Sequence, residues 1–277
     1  MNDRPVFVLS AGRSGSTLLQ KLLNSSPELV IWGEHMGILK HFARALHDIE
    51  RSPWISESPT GTWMLEAERE LRPEKWSAWD GPFSQDQFRE FLKGFVEQLF
   101  CRDLPEGVRW GFKEIRYSQL REVKLLLELY PDARILLLLR HPADICASHV
   151  SAMLTKPTCE NCAEPTYKTV RRMAMDAVRP FFLMAAELQQ FFPGVSVPVY
   201  FEDLVETPYA TMDAIRDFLE LEQAFDPDKI DQVMSYDLVS QRKSRSRDEM
   251  DELRRLAHII LGHEVAWYEN ARTGTVP

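Results

Sequence analysis

In "FVLSAGRSGSTLLQKLLN" the residues Gly12-Arg13-Ser14-Gly15-Ser16-Thr17 stand between a short apolar run and an amphipathic one. A strand entering a turn of small residues and then a helix aims free backbone N–H groups and the positive helix end at one point. That point binds anions. The triphosphate-binding loop G-x-x-x-x-G-K-[ST] carries a lysine that is missing here. Arg13 comes early in the loop instead, with two hydroxyls at the helix start, which suits a multi-oxygen anion and calls for no metal. A second such position follows in "RILLLLRHPADICASHV", where Arg140 ends an apolar strand and Ser148 comes two helical turns later. Arginine and serine so spaced can converge on a further anion. Each pattern alone also describes an ordinary capped turn or a surface charge; the two on one sheet edge reinforce each other.

The elements that must position these residues alternate as short apolar strands and helices, which predicts an α/β fold with a mostly parallel sheet flanked by helices. Strands are expected at Val6–Leu9, Leu29–Trp32, Val108–Phe112, Arg134–Leu139 and Val195–Tyr200. Helices are expected near Ser16–Asn24, Gly37–Ile49, Asp86–Phe100, Leu120–Leu129, Ala143–Leu154, Tyr167–Phe192, Met212–Leu219 and Asp248–Tyr268. Arg51–Gln85, rich in Pro, Trp and Ser, reads as an irregular insertion, and no linker divides the 277 residues, so one domain over 1–277 is expected. In such sheets ligands sit beyond the carboxyl ends of the strands, where Arg13 and Arg140 both fall.

Composition limits the partners. The chain is 44% hydrophobic and 27% charged with a net charge of −9, which removes any global electrostatic case for nucleic acid or anionic membrane. No signal peptide or membrane-spanning run is evident, so a cytoplasmic protein without membrane insertion is expected. Cys101 and Cys146 stand singly in helical patterns, as in a reducing compartment; Cys159 and Cys162 form a lone CxxC, read as a surface loop ahead of half a metal site.

"SAGRSGSTLL" and "LLLLRHPADICASH" together resemble the 5′-phosphosulfate loop and the 3′-phosphate motif of sulfotransferases that use 3′-phosphoadenosine 5′-phosphosulfate, PAPS. "VYFEDLVETPYATMDAIRDFLEL" is similar to that family's late strand and following helix, and the resemblance runs from Pro5 to about Leu221. It implies the P-loop-like sulfotransferase fold, with Arg13, Ser14, Gly15, Ser16 and Thr17 at the 5′ end of PAPS, Arg140 and Ser148 at the 3′-phosphate, and Tyr200 near the base. Lys113 in "WGFKEIRY" follows a strand where similar enzymes carry a lysine, and with Arg13 supplies the cations of the transfer step. The motif style is nearest to the protein-tyrosine sulfotransferase-like and bacterial branch, in which a glutamate after the second strand is the proposed base. Glu34 in "LVIWGEHMG" matches it, and Gly33 before it permits a sharp turn that aims the carboxylate at the first loop. Cytosolic aryl and steroid sulfotransferases use a histidine after the lysine; Glu114 follows Lys113 here, so His35 and Glu114 stay open as bases beside Glu34. In similar enzymes a basic C-terminal loop closes over the 3′-phosphate. Arg242 and Lys243, in the loop and helix spanning about 236–268, hold that place, with Ser244 where the usual glycine stands.

The expectation is therefore sulfuryl transfer from PAPS, as co-substrate and without a metal, to a hydroxyl or amine. Two other readings keep the loop: a P-loop nucleotide or small-molecule kinase, which wants the missing lysine and a Mg²⁺-holding acid, and a non-catalytic nucleotide-binding protein. The acceptor, whether small molecule, glycan or peptide, is not written in the motifs. Trp54, Trp63, Trp76 and Trp79 in the insertion and the Thr155–Thr166 loop are its expected rim.

Overall fold

The computed structural model describes residues 4–51, 84–154, 167–240 and 247–274. The sheet has five parallel strands in the order β2-β3-β1-β4-β5: β1 Val6–Ser10, β2 Leu29–Trp32, β3 Arg109–Glu114, β4 Arg134–Leu139 and β5 Ser196–Tyr200. β1 is buried along its whole length because both faces of the sheet are covered. Its alternate residues divide between two cores: Phe7 and Leu9 join Phe112, Leu137 and Tyr130 on one face, while Val6 and Val8 join Ile31, Leu136 and Leu22 on the other.

The helices that cover the sheet begin with α1 Ser16–Leu23, α2 Ile38–Glu50, α3 Gln85–Phe100, α4 Leu120–Leu129 and α5 Pro142–Leu154. Ser84 and Gln87 form a reciprocal capping box that starts α3. The expected single helix over Tyr167–Phe192 is broken into α6 Tyr167–Met173, a π-helical turn Ala174–Val178 and α7 Arg179–Phe191. Pro180 explains the break: without an N–H it cannot continue the α-helical ladder, yet it suits the first turn of α7. After β5 come α8 Phe201–Glu206, α9 Pro208–Leu219, α10 Pro227–Ser240, α11 Arg247–Ile260 and α12 Gly262–Thr273. The expected helix over Asp248–Tyr268 thus divides at Leu261 and Gly262, where the chain turns so that Arg179 on α7 meets both the Ile260 carbonyl and Glu264.

The chain leaves β1 toward β2 and β3 on one side and reaches β4 and β5 on the other, so the switch in direction lies beside the β1 exit. α5 starts at the β4 exit and brings His149 against Gly12 at the β1 exit, with Ile115 of the β3 exit alongside. The insertion tryptophans, the Thr155–Thr166 loop with Cys159 and Cys162, and Arg242 and Lys243 lie outside the described residues. Cys101 and Cys146 are buried and form no disulfide among the described residues, and burial pushes the Cys146 thiol up to about 12. No helix among the described residues is long and apolar enough to cross a membrane.

Candidate active site

Burial and close packing set the loop after β1. Ser14 is fully buried and donates to the Ala11 carbonyl at 2.7 Å, which folds the loop back on the strand end. Gly15 caps α1 at φ 93, and a Cβ there would lie 2.3 Å from the Phe201 ring, so no side chain fits. Gly12 is closed in the same way by His149, whose ring would meet a Cβ at 2.9 Å. Arg13 itself takes φ 67, a left-handed conformation uncommon outside glycine and costing about 1–3 kcal/mol. The strained backbone carries an exposed guanidinium outward. Ser16 is buried at the first position of α1 and Thr17 is exposed beside it, where first-turn N–H groups lack intrahelical partners.

The two anion-binding patterns read from the sequence meet in space. Arg13 Nε donates to Ser148 Oγ at 3.3 Å, and Arg140 Nη1 donates to the Arg13 carbonyl at 3.1 Å. Neither arginine has a carboxylate partner among the described residues, and Arg140 Nε is buried with no acceptor. Burial lowers the Arg140 guanidinium pKa, with Asp144 and Glu202 opposing it from a distance. The Phe201 ring lies 4.5 Å beneath that guanidinium while its other edge fills the space over Gly15. One ring thus borders both sites. Tyr200, the residue read from the sequence, sits differently: its ring packs 5.6 Å from Tyr268 and its hydroxyl is buried without a partner, which pushes it up to about 12. Glu202 accepts the backbone N–H of His141 and the Tyr268 hydroxyl, tying the β4 exit to α12.

A second cluster lies on the other side of β1. β3 runs two residues beyond its expected end, so Lys113 is within the strand, opposite Val8 of β1, and is 6% exposed. Lys113 Nζ meets Glu34 Oε1 at 2.7 Å, and Arg116 Nη1 meets Glu34 Oε2 at 2.7 Å. Burial tends to raise the Glu34 pKa, but the hydrogen bonds from Lys113 and Arg116 outweigh it and hold the carboxyl below its ordinary value. The sharp turn expected at Gly33 occurs later, at Met36 and Gly37 with φ 60 and 67, because the Gly37 N–H must reach Glu114 Oε2 at 2.8 Å.

The three candidate bases separate cleanly. Glu114 is fully buried and accepts N–H groups of Gly37, Ile115 and Arg116, which fixes it as a strut between two loops. His35 lies 4.6 Å from the Phe112 ring, its Nε2 is 3.2 Å from the Tyr117 hydroxyl, and burial lowers its pKa. Glu34 alone of the three keeps an outward side, with 26% of its side chain exposed. Arg116, Phe201 and His149 were not singled out by sequence. Arg116 left one usable trace, the charges crowded in "KEIR" at a strand exit; the other two are visible only through packing.

The fold and the loop define a P-loop-like α/β protein. The sulfotransferase family model matches residues 5–227, and the chain belongs to that family. No curated protein matches it at a significant level. Among solved structures, the sulfotransferase domain from the curacin biosynthetic pathway is 19% identical with a TM-score of 0.50, covering 83% of this chain and 77% of its own. The sulfotransferase domain of the Synechococcus PCC 7002 olefin synthase is 18% identical with a TM-score of 0.48, covering 91% and 94%. The Alicyclobacillus acidocaldarius sulfotransferase is 17% identical with a TM-score of 0.47, covering 92% and 96%.

Proposed function

We propose that the protein moves a sulfuryl group from 3′-phosphoadenosine 5′-phosphosulfate to a hydroxyl or amine of its acceptor. The observation that carries the reading is the pair Arg13 and Arg140, joined through the Arg13 carbonyl and without carboxylate partners among the described residues, in a chain of net charge −9. Arginines so placed are suited to anions supplied from outside. A donor with phosphates at both ends of a nucleoside matches two such groups better than a single-ended one.

The donor set fits PAPS. Arg13, Ser14, Gly15, Ser16 and Thr17 would hold the 5′ end, and Arg140 and Ser148 the 3′-phosphate. Phe201, with Tyr200 behind it, borders the base. Arg242 and Lys243 join the 3′ side by resemblance. PAPS supplies a sulfuryl group whose departure leaves an electron pair and negative charge on the oxygen bridging to the 5′-phosphate. Lys113 and Arg13 are the cations that stabilise this charge. Glu34 accepts the proton of the acceptor as the new S–O bond, or S–N bond for an amine, forms, so the acceptor oxygen or nitrogen ends neutral. Glu34 is the open carboxylate beside Lys113, which favours it over His35 and Glu114. No proton need pass through the interior.

Melting curves with adenosine 3′,5′-bisphosphate and with ATP plus Mg²⁺ test the reading, since a ligand stabilises only the fold that binds it. The bisphosphate should raise Tm and the ATP complex should not. The reverse result returns the kinase, and stabilisation by bisphosphate without any release of product from PAPS leaves a binding protein.

A further inference from the structure

Arg116 is outside the anion-binding loop and two residues beyond β3. Its Nη1 donates to Glu34 Oε2 at 2.7 Å and to Glu114 Oε1 at 2.9 Å. Glu114 is immobilised by backbone N–H groups from both flanking loops, so through Arg116 the outermost carboxylate is tied to the most rigid one. Lys113 touches the other oxygen of Glu34, and comes from the strand next to β1. The two oxygens of Glu34 therefore have different keepers. A lysine is a point charge on a flexible stem and can change partners, whereas Nη1 of the planar Arg116 guanidinium bridges the two carboxylates, one of them fixed by backbone N–H groups.

On the reading above, in which Glu34 takes the acceptor proton and Lys113 meets the donor, both demands fall on groups already paired with each other. We propose that Arg116 is a positioning residue for the transfer step: it holds Glu34 from the Glu114 side, so that Lys113 can pass from Glu34 to the donor's 5′-phosphate while the base keeps its place. Without Arg116, the carboxylate would follow the departing ammonium or turn into solvent.

The test compares Arg116→Gln, Arg116→Lys, Glu34→Gln and the Arg116→Gln/Glu34→Gln pair in the full chain, with PAPS and with water as the acceptor, following release of adenosine 3′,5′-bisphosphate. Arg116→Gln should lower turnover about tenfold with bisphosphate affinity within about twofold, and Arg116→Lys should recover part of the loss. Lys113 and Arg116 face Glu34 directly, with Glu114 and His35 behind Arg116. Loss of one cation should therefore move the acid limb of turnover to higher pH. In the Glu34→Gln background the second substitution should change turnover less than about twofold. Normal turnover in Arg116→Gln while Glu34→Gln is impaired overturns the positioning role and leaves the base assignment standing. An equal further loss in the Glu34→Gln background also overturns it, since Arg116 would then act through Glu114 and the fold. Normal turnover in Glu34→Gln overturns the base assignment itself.

Discussion

The two ends of the sheet edge handle charge in opposite ways. On the β4 side, Arg13 and Arg140 donate to a serine hydroxyl and a backbone carbonyl, and Arg140 keeps a buried Nε with no acceptor. On the β3 side, Lys113 and Arg116 are matched by Glu34 and Glu114 at 2.7–2.9 Å. A buried guanidinium nitrogen left without an acceptor is costly, and an anionic ligand is the kind of partner that would offset the cost. The β4 side suits a permanent dianion brought by the ligand. The β3 side is neutralised from within and suits charge that exists only during a reaction, since its groups need only redistribute.

Breaking the β3 side should have the largest effect. Glu34→Gln keeps the shape and removes the basicity, so turnover should fall by about 10²–10⁴-fold while donor affinity stays within a few-fold. Lys113→Ala should depress turnover as well and also weaken the donor, because in the proposed mechanism the lysine serves the leaving phosphate. If Glu34→Gln lost donor affinity as severely as turnover, the division between the two sides would collapse. On the β4 side, Arg140→Ala should weaken adenosine 3′,5′-bisphosphate by about 1.5–3 kcal/mol, the scale of a hydrogen bond to a charged group. Adenosine 5′-phosphosulfate, which lacks the 3′-phosphate, should barely respond; equal losses in calorimetry would remove Arg140 from the 3′ end. Phe201→Leu, which withdraws the ring shared by Gly15 and Arg140, should cost less than Arg140→Ala and fall on both ligands, since it loosens the loop and the arginine together.

The strand positions were legible because β1 and β4 are unbroken apolar runs between turn signals, and such runs have few alternatives in an α/β pattern. β3 ran past its expected end because Lys113 and Glu114 read as polar punctuation, whereas their partners lie on β2's exit, far away in sequence. α8 has six residues, too few for a helical period to show, and α10 has too weak an apolar stripe. The site divides along the same line. Arg13, Ser148 and Arg140 announce themselves as types at spacings within one strand-turn-helix unit. Arg116 and Phe201 act through contacts across 82 residues to Glu34 and across the sheet edge to Gly15, which no local pattern encodes.

The smallest effect concerns protons. In the free protein Lys113 and Arg116 favour the ionised form of Glu34 and hold its pKa low. When a 5′-phosphate draws Lys113 away, one of those two cations is shared, and the carboxylate loses part of that stabilisation. Its pKa should rise from that depressed position toward the ordinary carboxylate value. Glu34 would then be a stronger base with donor bound than without it, although the Arg116 contact keeps it ionised at working pH. Carboxyl carbon shifts of glutamate-labelled protein, assigned by Glu34→Gln and titrated with and without adenosine 3′,5′-bisphosphate, report this directly. The sign also bears on stability: a depressed carboxylate pKa stabilises the fold above its unfolded value, and the contribution is lost as pH falls through the folded one. The bisphosphate complex should lose the Glu34 contribution at a higher pH than the free protein. A Glu34 pKa that stays put or falls on binding would mean that Lys113 never leaves the carboxylate, and the β3 side would be a fixed ion pair instead of one that redistributes.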